Sequence, residues 1–161
     1  MMVFLTCPPA KFVMVGNHRI MTNEATTPEL YSRNYTVDPK HIDWQGIVDG
    51  LYYPFYMEDC RHKYVAEFLK YDLEQQTRDG INMVLVEYTI RFRRSLKQGD
   101  EFRVTCRGFQ EPGKRTKLFF EQKIILGDAI CTEAVFTATC VPVAGGRPFI
   151  PEFVTRALGA G

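Results

Sequence analysis

The sequence lacks any pattern that would hold a structural metal ion or a disulfide framework. Its 161 residues contain five cysteines, an odd number, and no two of them have C-x-x-C spacing. Its three histidines have no mutual spacing suited to a metal ion and no nucleophilic partner. These absences argue against a zinc site and against a disulfide-stapled secreted domain. We therefore expect no bound metal, and reduced cysteines that mostly fill the core.

Long apolar runs and an excess of one charge are also missing. No apolar run approaches the ~18 residues of a membrane-spanning helix, and the first 21 residues lack the basic start and unbroken apolar stretch of a signal peptide. The formal net charge is +1, which argues against a nucleic-acid-binding surface. We therefore expect no membrane span, no nucleic-acid partner and a cytoplasmic location.

The composition is that of one folded domain. Hydrophobic residues make up 45% of the chain, enough for a single core, and there are no internal repeats or low-complexity tracts. Residues 1–21 are mildly apolar and are interrupted by Pro8, Pro9 and Lys11, and Met21 offers a second start site, so we expect residues 1–27 to be a poorly ordered N-terminal extension. Residues 28–161 are predicted to form the domain.

Hydrophobic periodicity predicts an α+β fold. One strand is followed by a helix with apolar residues at three- and four-residue intervals, and then the period changes to two. The predicted elements are a strand over Leu30–Val37, a helix from Tyr53 to about Tyr71, strands over residues 82–93, 102–107, 117–126 and 130–141, and a short helix over residues 151–158. Four consecutive strands with short turns predict an antiparallel meander. The economical packing is a sheet curled around the single long helix.

Asp43 stands at the junction between the first strand and the long helix, in a run that contains Gly46 and Gly50. A carboxylate at such a junction can point into the space between sheet and helix. The alternative is that Asp43 is a turn or helix-cap residue, because aspartate accepts hydrogen bonds from free backbone N–H groups.

The run of residues 43–48, followed by Tyr53 and residues 55–61, resembles the hot-dog fold acyl-CoA thioesterases of the 4-hydroxybenzoyl-CoA thioesterase-like family. Residues 84–92 and 96–102 support the resemblance, which covers about residues 30–155. It implies a hot-dog fold, with an antiparallel five-stranded sheet curled around a long central helix. It also implies an acyl-CoA substrate, no cofactor other than the coenzyme A of the substrate, and a homodimer or homotetramer that shares its site across an interface.

The resemblance also assigns roles to particular residues. It makes Asp43 the catalytic nucleophile or general base and the Gly50 N–H the donor that polarises the thioester carbonyl. It gives Tyr53 and Glu58 a place at the substrate, and it puts basic residues near the coenzyme A phosphates. An ordinary solvated position is the alternative for Glu58 and for the basic residues. The predicted substrate-binding residues are Tyr53, Glu58, Lys114, Arg115 and Lys117.

Two departures from the family pattern keep a second function open. Many relatives have His after the motif glycine and Asn before the tyrosine, whereas this chain has Ile47 and Tyr52. The leading hypothesis is hydrolysis of an acyl- or aryl-CoA thioester to the free acid and coenzyme A. The alternative is a non-catalytic acyl-CoA or acyl-carrier binding protein. A hydratase ranks last, because its Asp/His arrangement is not evident.

Overall fold

The computed structural model describes residues 11–15, 18–22 and 30–159. The chain divides into two compact units, residues 1–30 and 31–161. In the first unit, strands β1 (Lys11–Val15) and β2 (His18–Thr22) pair antiparallel. This pairing lies inside the segment predicted as an N-terminal extension, and the predicted boundary between residues 27 and 28 remains a prediction.

The described residues of the second unit form one sheet and three α-helices. In chain order its elements are β3 (Tyr31–Thr36), a 3-10 turn (Pro39–His41), α1 (Tyr52–Glu67), α2 (Leu73–Arg78), β4 (Ile81–Phe92), β5 (Glu101–Phe109), β6 (Leu118–Leu126), β7 (Ala129–Pro142) and α3 (Glu152–Ala157). Among the described residues, no helix has the length and apolar character that crossing a membrane requires.

All neighbouring strands of the five-stranded sheet are antiparallel, in the order β3-β5-β6-β7-β4. This confirms the predicted α+β architecture, but the prediction of a meander was wrong for β4, which pairs with β7 at the far edge. The connection between β4 and β5 is residues 93–100. Eight residues exceed the two to five of a hairpin loop and can cross the width of two strands. The free edge of β5 is taken by β3.

Helix α1 packs its apolar stripe chiefly on β5, β6 and β3. Tyr53, Met57, Cys60 and Tyr64 are all buried, as their three- and four-residue spacing predicted. The helix is shorter than predicted, because Lys70 adopts a left-handed conformation with φ of 55° and ends it before Tyr71. Helix α2 was not predicted. It begins where the Asp72 carboxylate accepts a hydrogen bond from the Gln75 N–H.

Candidate active site

Asp43 lies in a tight loop that leads into α1. Ile42 and Val48 form an antiparallel bridge, and inside it the Asp43 N–H donates to the Ile47 carbonyl oxygen at 2.8 Å. Gly46 closes the loop with φ of +77°, a conformation that favours glycine. The closed loop brings Asp43 beside Ile47, only three residues before Gly50.

The two carboxylate oxygens of Asp43 are used differently. Oδ1 accepts hydrogen bonds from the Gln45 N–H at 2.7 Å and the Ile47 N–H at 3.4 Å. Among the described residues, Oδ2 accepts one hydrogen bond, from the Gln45 side-chain amide at 3.3 Å. The turn role considered from the sequence is therefore present at Oδ1. Oδ2 is the oxygen of this half-buried carboxylate with fewer hydrogen bonds.

Gly50 supplies a free backbone donor at the start of α1. The two N–H groups that follow Gly50 both donate to Asp49. The Leu51 N–H donates to the Asp49 carboxylate at 2.9 Å, and the Tyr52 N–H donates to the Asp49 carbonyl oxygen at 3.0 Å. Within the described residues, the Gly50 N–H donates no hydrogen bond. Gly50 is exposed, and a Cβ added there would meet only Phe92 Cζ, at 3.9 Å. Such a donor can stabilise negative charge on an incoming oxygen.

His41 joins the Asp43 loop to the first turn of α1. Its ring stacks on Tyr52 with centroids 3.9 Å apart, and its Nδ1 lies 2.7 Å from the Tyr56 hydroxyl. Its carbonyl oxygen accepts from the Asp49 N–H at 2.9 Å. The His41 side chain is half-buried at the end of the 3-10 turn.

Tyr53 is buried, and its hydroxyl is already occupied. It accepts a hydrogen bond from the Leu96 N–H at 2.9 Å, and its ring packs edge-on against Phe92 at 5.2 Å. Burial raises the pKa of Tyr53, so the hydroxyl stays protonated at neutral pH. Tyr53 therefore fixes the connection between β4 and β5 against α1, and its predicted contact with substrate remains a prediction.

Glu58 lies on the flank of α1 that is turned away from β3. The next residue, Asp59, accepts from the Tyr35 hydroxyl on β3 at 2.8 Å, whereas Glu58 is about half exposed and lies 3.7 Å from His62 Nε2. This contact corresponds to the solvated position that the sequence left open. Glu58 can still line the space on that side of the helix.

The three predicted basic residues surround the turn between β5 and β6. Lys114 Nζ is paired with Glu111 at 2.6 Å, and Lys117 Nζ lies 3.6 Å from Glu87 on β4. Arg115 is exposed and forms no ion pair among the described residues. It lines an open pocket of about 410 Å³ together with Ile150 and Thr155.

The structure places Asp43 and Gly50 in the same loop before α1 and separates this loop from the basic residues. The Val37 N–H donates to Asp100 and the Val48 N–H donates to Leu96, so the Asp43 loop lies where β5 begins. The β5–β6 turn follows the other end of β5. With nine residues in β5, the two ends are roughly 27 Å apart. Within one chain, therefore, these two groups do not form one compact site.

No group of three or more His, Cys, Asp or Glu side chains in the described part of the chain is arranged to hold a metal ion. The cysteines Cys60, Cys106, Cys131 and Cys140 are buried free thiols. Burial raises the pKa of each, that of Cys60 to about 11. A protonated buried thiol is a poor nucleophile, which leaves Asp43 as the candidate reactive group.

The fold is similar to those of solved acyl-CoA thioesterases. The 1,4-dihydroxy-2-naphthoyl-CoA thioesterase of Synechocystis has a TM-score of 0.72 and 14% identity, covering 80% of this chain and 95% of its own. A gentisyl-coenzyme A thioesterase has a TM-score of 0.70 and 20% identity, covering 79% and 98%. A Staphylococcus aureus protein solved in complex with CoA has a TM-score of 0.74 and 15% identity, covering 85% and 86%. At such identities the similarity shows the fold, which is the predicted hot-dog fold.

The sequence itself matches a family. No curated protein matches the chain in sequence. The profile of the thioesterase-like superfamily matches residues 37–158, which include the Asp43 loop, α1 and all of the sheet except β3. Because this match covers most of the chain, the protein belongs to the thioesterase-like superfamily.

Proposed function

We propose that the protein is an acyl-CoA thioesterase in which Asp43 performs the chemistry. The observation that carries the proposal is the arrangement at the Asp43 loop. One carboxylate oxygen is held by backbone N–H groups and the other is nearly free, beside a helix start with an unused N–H at Gly50. The superfamily and the thioesterases of the same fold support hydrolysis of a thioester.

The reaction can follow either of two routes at Asp43. As a nucleophile, Oδ2 forms a bond to the thioester carbon, the C–S bond breaks, coenzyme A leaves as a thiolate, and water then hydrolyses the mixed anhydride. As a general base, Oδ2 takes a proton from the water that attacks. In both routes the Gly50 N–H stabilises the carbonyl oxygen as it gains negative charge. A thioester is already activated, so one carboxylate and one donor suffice without a metal ion.

Coenzyme A binding is proposed at the basic residues Lys114, Arg115 and Lys117, of which Arg115 is the most available. The CoA complex of the structurally similar S. aureus protein supports a CoA-type ligand for this fold. Guanidinium and ammonium groups suit phosphate oxygens. Within one chain, these residues and Asp43 lie at opposite ends of β5. A site that contains both therefore requires a second copy of the protein.

We also propose that the second copy pairs along β4. This twelve-residue strand is at the edge of the sheet, and several apolar side chains along it are about half exposed. Such an edge invites pairing with another chain. Antiparallel pairing of two β4 strands places the Ile81 end of one beside the Phe92 end of the other. That arrangement brings the basic turn of one copy toward the Asp43 loop of its partner.

A non-catalytic acyl-CoA binding protein is the second candidate, favoured by the structural use of Asp43 Oδ1 and by Ile47 and Tyr52 in the loop. A panel of acyl- and aryl-CoAs distinguishes the two. Release of free coenzyme A thiol supports the thioesterase. Tight binding measured by calorimetry, without thiol release, supports the binding protein.

A further inference from the structure

Arg61 is a buried cation with no carboxylate partner in the part of the chain that the structure describes. Its side chain is 7% exposed, its guanidinium carbon lies 4.2 Å from the centre of the Phe136 ring, and Nη1 donates to Gln122 Oε1 at 2.8 Å. Among the described residues no carboxylate forms an ion pair with it. Glu58, three residues earlier, is close enough to interact electrostatically, but its carboxylate lies 3.7 Å from His62. A buried unpaired charge is costly, so its retention calls for a partner.

The unused donors of Arg61 are covered but not fully sealed in the core. Nε and Nη2 donate no hydrogen bond in the described part of the chain. Among the same residues, the one fully enclosed polar side-chain atom without a partner is Thr132 Oγ1. The unused N–H groups of Arg61 therefore keep contact with solvent, although most of the side chain is covered.

Arg61 lies over the β7–β4 half of the sheet, because its guanidinium stacks on Phe136 of β7 and β4 pairs with β7. Helix α1 packs chiefly on β3, β5 and β6. Beyond Arg61, Tyr88 on β4 stacks on Phe136 at 5.1 Å, and Tyr88 is 48% exposed. Phe136 itself is only 1% exposed, so the ring that is open beside Arg61 in a single copy of the chain is that of Tyr88.

The same face of β4 leads to the proposed reaction centre. Phe92 lies on the same strand face as Tyr88, four residues farther along β4; its ring packs on Tyr53 at 5.2 Å, and a Cβ added at Gly50 would lie 3.9 Å from it. At about 3.3 Å per residue, the path from Phe92 to Tyr88 is roughly 13 Å long. Gly50 lies near one end of this path and the Arg61 guanidinium near the other. An acyl chain of medium length spans that distance.

We propose that Arg61 binds a carboxylate at the far end of the acyl group, so that the preferred substrate is the CoA half-thioester of a dicarboxylic acid. The inference rests on the proposed thioesterase function. A guanidinium binds a carboxylate through two parallel hydrogen bonds, and this pairing supplies the missing counter-charge. A neutral acyl chain leaves the charge unpaired, and a phenol supplies a hydrogen-bond acceptor without a charge. A site built for a polar group rejects the analogue that lacks it.

The test compares adipyl-CoA with hexanoyl-CoA, which has the same number of carbons and no carboxylate. Wild-type protein is expected to favour adipyl-CoA in kcat/KM on the order of 10²-fold. In Arg61→Met, kcat/KM for adipyl-CoA should fall until the preference is lost. The kcat/KM for hexanoyl-CoA should change only about threefold. Arg61→Lys, which keeps a charge but not the two-pronged geometry, should fall between them and serves as a second variant if Arg61→Met does not fold.

Three results separate this inference from the proposed function. Equal kcat/KM values for the two substrates in the wild type overturn the role of Arg61 and leave the thioesterase standing. If Arg61→Met keeps the adipyl preference but weakens dimerisation, Arg61 pairs with the second copy and the inference is overturned. If neither substrate is hydrolysed, the thioesterase proposal fails. The role of Arg61 is then decided by measuring the binding of both acyl-CoAs by calorimetry. Tighter binding of adipyl-CoA supports the role of Arg61, and equal binding overturns it.

Discussion

At the scale of single residues, Asp43 has the turn role that the sequence offered as one alternative, and the catalytic role is proposed for its second oxygen. Oδ1 accepts backbone hydrogen bonds and shapes the loop, whereas among the described residues Oδ2 accepts a single long hydrogen bond, from the Gln45 side chain. The position of this carboxylate before α1 could be predicted from the strand, the glycines and the helix pattern. The different hydrogen bonding of its two oxygens could not be predicted, because it depends on the rotation of one side chain within a closed loop.

The Gly50 N–H can be tested with two substitutions at the same position. Gly50→Ala keeps the donor, and its Cβ would meet only Phe92 at an ordinary 3.9 Å. Gly50→Pro removes the donor. We expect kcat to stay close to that of the wild type in Gly50→Ala and to fall on the order of 10²- to 10³-fold in Gly50→Pro. Melting temperatures of both variants control for folding. Equal kcat in two folded variants would remove the Gly50 N–H from the mechanism.

Tyr53→Phe tests the structural role of the Tyr53 hydroxyl. The substitution leaves the buried Leu96 N–H without its acceptor, so we expect a loss of about 1–3 kcal/mol in the free energy of unfolding, measured with urea. Tyr52→Phe is the matched control, because the Tyr52 hydroxyl makes no hydrogen bond among the described residues and its ring still stacks on His41. The same stability for both variants would contradict the anchoring role.

At the scale of helices and strands, local pattern predicted which elements form but not how the strands are ordered. Periods of two and of three to four residues identified α1 and the five strands. They carry no information on whether β4 pairs with β5 or with β7, which depends on the eight-residue connection and on β3 occupying an edge. The burial of Arg61 was missed for a similar reason. Arg61 lies on the flank of α1 that faces β7 and β4, and the position of these two strands follows only from the strand order.

The buried thiols on α1, β5 and β7 predict a fall in stability at alkaline pH. Burial raises the pKa of Cys60 from its ordinary 9.0 to about 11 and the pKa of Tyr64 to about 12. Above pH 9 the unfolded chain loses thiol protons that the folded chain keeps, so stability decreases as pH rises.

We expect the free energy of unfolding to drop by about 1–3 kcal/mol for the Cys60 thiol alone between its two pKa values. Urea midpoints across this pH range measure the drop. In Cys60→Ala the decline should be shallower than in the wild type. An unchanged midpoint from pH 9 to 11 in the wild type would show that the folded thiols titrate normally.

At the scale of the whole molecule, the proposed site needs two copies of the chain. Asp43 and the basic turn are at opposite ends of β5, so neither end has all the groups that an acyl-CoA requires. Changing Lys114, Arg115 and Lys117 together to alanine should raise KM and leave kcat much less affected, as expected when uniform binding is lost. An unchanged KM would remove these residues from the coenzyme A site.

Mixed dimers test the sharing directly. Asp43→Asn lacks the reactive group, and the triple alanine variant lacks the phosphate contacts. If each site combines Asp43 of one copy with the basic turn of its partner, equal mixing restores one complete site in each mixed dimer. The activity at low substrate concentration should then be about a quarter of the wild-type value. No restoration, although mixed dimers form, would show that each site lies within one copy.

The most direct test of the central claim is the release of free coenzyme A thiol from a panel of acyl-CoAs by the wild type, Asp43→Asn and Asp49→Asn. Asparagine keeps the size of the side chain and an oxygen for the Gln45 N–H, so folding should survive. We expect turnover in the wild type, a loss of turnover on the order of 10²–10⁴ in Asp43→Asn, and near-normal turnover in Asp49→Asn, whose asparagine still accepts from the Leu51 N–H. Turnover that survives in Asp43→Asn and is lost in Asp49→Asn would reverse the roles of the two carboxylates, and full activity in both variants would show that neither carboxylate performs the chemistry.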